Sequence, residues 1–345
     1  MKVVVYSTRS FEKELLAKAN QKKHDITLIS NPLTDETTSY AEGKDAVVVF
    51  TSDDVSASVI QKLAHYGVKY IATRSVGTDH IDKKAAAAAN IKIANIPSYS
   101  PHSIAEHVLT LVLALNRKIL LSTQRSKNFD FRLDGLVGFT LYGKTVGIIG
   151  LGEIGLITAK IFNGFGCKVL AYNQVKYQHT GIQQVGLEEL YAKSDIISLH
   201  VPLNDATRHI INAENLAKMK PGVMLINTGR GGLLNTNDVL QALKSGKIGA
   251  LGADVYEYEH GLFFENHHQD KEKDCLLQQL LAFSNVMITP HQAFLTTEAL
   301  QEIAQLTIKS LDLWQENKCV GKACACAKNC QKETIKEKQL LPHQL

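Results

Sequence analysis

Thr145-Val146-Gly147-Ile148-Ile149 runs directly into Gly150-Leu151-Gly152-Glu153-Ile154-Gly155. The first five residues read as a buried strand, and the glycines that follow have the spacing G-x-G-x-x-G. Such a triplet alone is a weak signal. Here it follows a strand and opens a helical pattern carried by Ile157, Ile161 and Phe162, which is the context a dinucleotide-binding turn requires. Gly150 permits the tight turn. Gly152 lets backbone N–H groups at the helix N-terminus approach a pyrophosphate, and Gly155 lets helix and strand pack closely. An acid is expected about 20 residues further on, at the end of the next strand. Asn173 stands there instead. An amide can still bond ribose hydroxyls, but it does not repel a 2′-phosphate as a carboxylate would. Lys176 is close enough in sequence to help a phosphate, yet no arginine follows directly. NAD is therefore the expected cofactor, with discrimination against NADP left open.

Working outward, the strand pattern continues through Lys168–Tyr172, Asp195–His200, Val223–Asn227, Gly249–Asp254 and Val286–Thr289. Six strands with crossover helices fit one doubly wound sheet. Before it lies a shorter series: Val3–Tyr6, Ala46–Phe50, Tyr70–Thr73 and Lys92–Ile96. Helical patterns at Ser10–Asn20, Val55–His65 and Asp82–Asn90 alternate with these strands, as βαβ units do. Ser103–Asn116 reads as a long helix, with Ser103 and Glu106 spaced as a capping box. The last helix, Thr296–Trp314, is placed to return to the first series. The expected fold is α/β with two domains: a Rossmann doubly wound domain (101–296) inserted in a smaller flavodoxin-like α/β domain (1–100 and 297–330). Residues 331–345 form a tail expected to be disordered, with Lys332–Lys338 as a solvated run.

Composition bounds the function class. In 345 residues, 45% are hydrophobic and 21% charged, as in ordinary globular protein. A net charge of +4 is too weak to argue for nucleic acid. No apolar run approaches the roughly 18 residues of a membrane span, and Met1-Lys2-Val3-Val4-Val5-Tyr6 starts as a strand rather than a signal peptide. A cytoplasmic protein with reduced cysteines is expected. Cys319, Cys324, Cys326 and Cys330 follow the spacing C-x4-C-x-C-x3-C. That matches no standard ligand pairing, so no metal site is expected.

Three strand ends in the second series carry polar residues of different kinds. Asn227-Thr228-Gly229-Arg230 ends in a guanidinium, Asp254-Val255-Tyr256-Glu257-Tyr258-Glu259 in a carboxylate, and Thr289-Pro290-His291 in an imidazole. Open α/β sheets bind ligands at their strand ends. An arginine fork can hold a carboxylate, a histidine can pass a proton near neutral pH, and a glutamate on its other ring nitrogen would favour the imidazolium.

Together with Ser75-Val76-Gly77-Thr78-Asp79, Tyr99-Ser100-Pro101, Ala105-Glu106-His107, His200-Val201-Pro202-Leu203 and His291-Gln292-Ala293-Phe294, these segments resemble the D-isomer-specific 2-hydroxyacid dehydrogenases. The resemblance reaches to about Gly321. Tyr258 through Glu265 and His291 through Thr296 look most like the fermentative D-lactate branch of that family. It implies a 2-oxo acid substrate whose carboxylate is held by Arg230 and by backbone N–H groups at Val76 and Gly77, with His291 as acid/base and Glu259 as its partner. Tyr99 and Phe294 would line the substrate pocket, and a ring at Phe294 favours pyruvate over larger 2-oxo acids. It assigns Glu153 and Ile154 to the phosphate loop and Asn173 to the adenosine ribose. Val201, Pro202 and Thr207 fall near the adenine, and Thr228, Gly229, Arg230 and Asp254 flank the nicotinamide, with Asp254 accepting from its carboxamide. The crevice would lie between the two domains and close by a hinge. Asn128–Tyr142 would help build a homodimer or homotetramer. Two alternatives remain: a reductase of broader 2-oxo acid range, and an NAD-sensing corepressor-like binding protein.

Overall fold

The computed structural model describes residues 1–175 and 180–326. Lys176, Cys330 and the tail 331–345 fall outside the described residues. The chain divides into two compact units, Met1–Ser100 with the chain from Thr296 onward, and Pro101–Leu295.

The first unit is built on a five-stranded parallel sheet of β1 (Lys2–Val5), β2 (Asp25–Leu28), β3 (Ala46–Val49), β4 (Tyr70–Thr73) and β5 (Lys92–Ala94). The order β2-β1-β3-β4-β5 is the flavodoxin-like one. β3 is buried along its whole length, as a central parallel strand covered on both faces must be. Val47, Ile60, Leu63 and Ile71 fill one face, and Val48, Leu311 and Trp314 the other. The helix Thr297–Gln315 belongs to this unit and stacks Trp314 on Tyr70, ring centroids 4.8 Å apart. β2 is not among the strands expected from the sequence. Its Asp25 and Thr27 alternate with Ile26 and Leu28 at a sheet edge, so it lacks an uninterrupted apolar run.

The second unit holds β6 (Thr145–Ile149), β7 (Lys168–Tyr172), β8 (Ile182–Gln184), β9 (Ile196–Leu199), β10 (Val223–Asn227), β11 (Ile248–Ala253) and β12 (Val286–Ile288). All pairings are parallel, in the order β8-β7-β6-β9-β10-β11-β12. The order reverses between β6 and β9, the switch point of a Rossmann sheet. The sequence predicts six strands here. The seventh, β8, is a three-residue edge strand carrying Gln183 and Gln184, and so has no hydrophobic signature.

The long helix spans Pro101–Asn116, two residues longer than expected at its start. Pro101 takes the first helical position, where its missing N–H costs nothing. Ser103 therefore lies inside the first turn and is buried; the expected capping box with Glu106 does not form the helix start. Val108, Leu111, Val112 and Leu115 pack on Val146, Ile148 and Ile226 of the sheet. Among the described residues, no helix is long and apolar enough to cross a membrane.

Candidate active site

Because every strand of the second sheet is parallel, all seven C-terminal strand ends emerge along one edge, and six of them lead to residues expected at the site. β6 leads to Gly150, β7 to Asn173, β9 to His200-Val201-Pro202, β10 to Thr228-Gly229-Arg230, β11 to Asp254–Glu259, and β12 to Thr289–Phe294. The topology gathers at this edge residues as far apart in the chain as Gly150 and Phe294.

At the first turn, Gly150 has φ +101°, a region that favours glycine, and its N–H donates to Tyr172 O at 2.8 Å. A Cβ on Gly155 would overlap the Gly150 carbonyl, so glycine is required there for the turn to close on the helix. Gly152 differs: a Cβ there would meet no protein atom within 4 Å. It precedes the helix Glu153–Gly164 with no side-chain cap, leaving first-turn N–H groups oriented as an anion site requires. Glu153 and Ile154 are its first residues. Asn173 is tied into the same turn. Its Oδ1 accepts from Leu151 N at 3.0 Å and its Nδ2 donates to Val175 O at 3.0 Å. One acceptor and one donor position of the amide remain. After β9, Thr207 donates to Pro202 O at 2.6 Å and accepts from Asn204 N at 2.9 Å, so its hydroxyl shapes the loop that carries Val201 and Pro202.

After β10, the buried Asn227 clamps the turn. Its Nδ2 donates to Arg230 O at 2.8 Å, and its Oδ1 accepts from Gly229 N at 3.1 Å. Arg230 is half-buried, with Nη1 donating to Gly229 O at 2.9 Å. The Thr228 Oγ1 is buried without a hydrogen-bond partner, a state that native structures rarely leave unfilled by a ligand or water. Gly231 then lets this turn touch the next, since a Cβ would overlap the Tyr256 carbonyl. Glu257 ties the two together: it accepts from Thr236 N and Oγ1 at 3.0 and 2.8 Å and pairs with His209 Nε2 at 2.6 Å.

The third pairing joins a carboxylate to an imidazole. Glu259 Oε1 lies 2.9 Å from His291 Nδ1, and Glu259 Oε2 accepts from Tyr256 N at 2.9 Å. A carboxylate can only accept, so Nδ1 carries the proton and Nε2 is the ring nitrogen left for proton transfer. His291 adopts φ +53°, an uncommon conformation for a non-glycine residue. Asp254 braces it. Fully buried, its carboxylate accepts from Thr289 Oγ1 at 2.6 Å, Gln292 N at 2.9 Å and Ala293 N at 2.8 Å. The Thr289 hydroxyl in turn accepts from His107 Nε2 at 3.0 Å. This bracing of the His291 loop was not legible in the sequence; nor was Phe264, whose ring lies 5.9 Å from that of His291. Phe294, three residues on, is buried.

The family model for the NAD-binding domain of D-isomer specific 2-hydroxyacid dehydrogenases matches residues 109–293. A 2-hydroxyacid dehydrogenase homolog of Haemophilus influenzae is 43% identical over 90% of this chain and 95% of its own. The D-lactate dehydrogenase of Escherichia coli is 42% identical over 90% and 96%. The chain belongs to the D-isomer specific 2-hydroxyacid dehydrogenases. Among solved structures, the pyruvate reductase of Chlamydomonas reinhardtii superimposes with a TM-score of 0.88 at 42% identity, covering 93% of this dehydrogenase and 98% of that chain.

NAD is the cofactor of this dehydrogenase, and its second unit fits that role through the open face of Gly152 and the orphaned Thr228 hydroxyl. The remaining expected residues lie in the first unit. Val76 is exposed, Gly77 and Tyr99 half-buried. They follow β4 and β5, again at strand ends. Arg74, buried just before them, pairs with Glu12 and donates from Nη2 to Tyr6 O at 2.6 Å, which anchors the start of that loop.

Proposed function

We propose that this dehydrogenase reduces pyruvate to D-lactate reversibly, with Arg230, Glu259 and His291 as its catalytic residues. The observation that carries the reading is the Glu259–His291 pair, which commits Nδ1 and leaves Nε2 for the substrate oxygen. NADH, when bound, supplies the hydride. The ketone oxygen then gains negative charge and must be protonated as it forms; His291 Nε2 gives that proton and recovers it in the reverse direction. Glu259 holds the imidazole in one tautomer throughout. The Arg230 fork takes the carboxylate, with backbone N–H groups at Val76 and Gly77 as further donors. Gly150, Gly152, Glu153, Ile154 and Gly155 hold the pyrophosphate; Asn173 and Val201-Pro202 the adenosine; Thr228, Gly229 and Asp254 the nicotinamide end. Tyr99 and Phe294 bound the side-chain end of the substrate and favour a methyl group.

The test follows NADH absorbance with pyruvate, oxaloacetate and 2-oxoisocaproate, and resolves the lactate formed on a chiral column. D-lactate from pyruvate at the highest kcat/KM supports the reading. Faster turnover of 2-oxoisocaproate selects the broader-specificity alternative, and no oxidation with any of the three sinks the enzyme reading.

We also propose a cytoplasmic homo-oligomer, a homodimer or homotetramer, joined through the segment before β6. Phe129, Leu133, Val137 and Tyr142 are all more than three-quarters exposed, a cluster of apolar surface that monomers seldom leave uncovered. Light scattering should give about two or four times the 38.0 kDa chain mass; a monomer would remove this proposal.

A further inference from the structure

The chain after the last helix does not simply leave the first unit. Residues Ala323–Cys326 lie antiparallel along the edge strand β5. Ala325 N donates to Ile93 O at 3.0 Å, and Asn95 N donates to Ala323 O at 2.9 Å. Ile93 N donates to Cys326 Sγ at 3.1 Å. An isolated bridge pairs Ala94 with Cys324. Ala323 and Cys324 pack against one face of the sheet, and Ala325 and Cys326 against the other. The segment is a strap that covers an otherwise unpaired edge.

Asn95 connects this strap to the loop after β4. While its backbone N–H is held by the strap, its side-chain Nδ2 donates to Val76 O at 2.8 Å. Ser75 completes the clamp: its Oγ donates to Gly77 O at 2.7 Å, and Ile96 N donates to Ser75 O at 3.0 Å. A peptide unit is planar and trans, so fixing a carbonyl fixes the N–H of the next residue in the opposite direction. Holding Val76 O sets the Gly77 N–H, and holding Gly77 O sets the Thr78 N–H. An otherwise pliable glycine loop thus has two N–H vectors preset, and donors oriented in advance lose less freedom when they bind an anion.

We propose that the C-terminal strap Ala323–Cys326, acting through Asn95, presets the Val76-Gly77 loop for the substrate carboxylate. Asn95 and Ser75 are positioning residues. The proposal rests on the reading of that loop as a carboxylate site. Two variants of the full chain test it. Asn95→Ala removes the side-chain donor to Val76 O. Ala325→Pro removes the N–H that Ile93 O accepts, and Cys324, at φ −68° and ψ 113°, already has the extended conformation that a following proline needs. Each should raise KM for pyruvate about 5- to 10-fold, the worth of one hydrogen bond. KM for NADH, kcat and the melting temperature should stay close to wild type, and the Gly77 and Thr78 amides should exchange with deuterium faster. A loss of packing alone would not separate the two KM values. Wild-type KM for pyruvate in either variant overturns the proposal. Gly77→Pro, which deletes the Gly77 N–H, separates the two claims. If it leaves KM for pyruvate unchanged, the carboxylate reading is wrong. If it raises KM while the other two variants do not, only the strap is wrong.

Discussion

Glu259 grips His291 with one carboxylate oxygen and its own turn with the other. Oε1 lies 2.9 Å from His291 Nδ1, and Oε2 accepts the Tyr256 N–H at 2.9 Å. The carboxylate is thereby immobilised before it orients the imidazole, and the ring cannot rotate to present Nδ1 instead. Asp254 does the same for the backbone that carries His291, through Thr289, Gln292 and Ala293. Two acids thus position one base, one by its ring and one by its main chain.

Replacing His291 by Ala should lower kcat by about 10²- to 10⁴-fold, the usual worth of a positioned general acid. KM for NADH should change little. Glu259→Gln should also lower kcat, by a smaller factor, because an amide can still accept from Nδ1 but can equally donate and so admit the wrong tautomer. Steady-state rates across pH check both; a His291→Ala variant with full kcat would remove His291 from the mechanism.

Arg230→Lys keeps the charge but loses the planar fork. It should lower kcat/KM for pyruvate by about 10- to 100-fold, the scale of a charge-assisted hydrogen bond, with unfolding free energy nearly unchanged. A surface arginine exchanged in parallel should show no such loss.

Gly231→Ala places a Cβ onto the Tyr256 carbonyl and the Glu257 nitrogen. Both obstacles are backbone, so the two turns must separate. A stability loss of about 1–3 kcal/mol is expected, together with reduced kcat because Glu259 lies only two residues after Glu257, in the turn that is displaced. Urea denaturation and kcat measured on the same sample test this.

Burial pushes the His200 imidazole from 6.5 down to about 4. A depressed histidine pKa means that protons bind the unfolded chain more readily, so stability is highest above about 6.5 and falls as pH drops towards 4. Between pH 7 and pH 5 this group should remove about 2 kcal/mol. His200→Gln should flatten that part of the profile, seen as a smaller change in the urea midpoint between the two pH values. An unchanged pH dependence would show that another group is responsible.

Local chemistry made much of this readable. Largely apolar runs marked the fully buried strands, with Ser198 in β9 as an interruption, because a strand covered on both faces has no regular polar alternation. Glycines with a strand before them and a helix after them marked the cofactor turn, and Gly150 and Gly155 have the strained φ and the close approach that the motif implies. Arg230, Glu259 and His291 stood out because each lies in a turn that follows such a run. The edge strands Asp25–Leu28 and Ile182–Gln184 did not, since a half-exposed edge tolerates polar residues and leaves no period.

The buried strands, the helices between them and the chemical kinds at the strand ends follow from burial and backbone preference, which act over a few residues and are therefore written in the chain. Which polar groups support which depends instead on the folded arrangement. Asp254 bracing the His291 loop, Phe264 against the His291 ring, Glu257 joining Thr236 to His209, and the strap at Ala323–Cys326 reaching Val76 through Asn95 all join residues distant in the chain. A hydrogen bond requires its two atoms within about 3 Å, and that proximity arises only when the sheet order brings separate strand ends side by side.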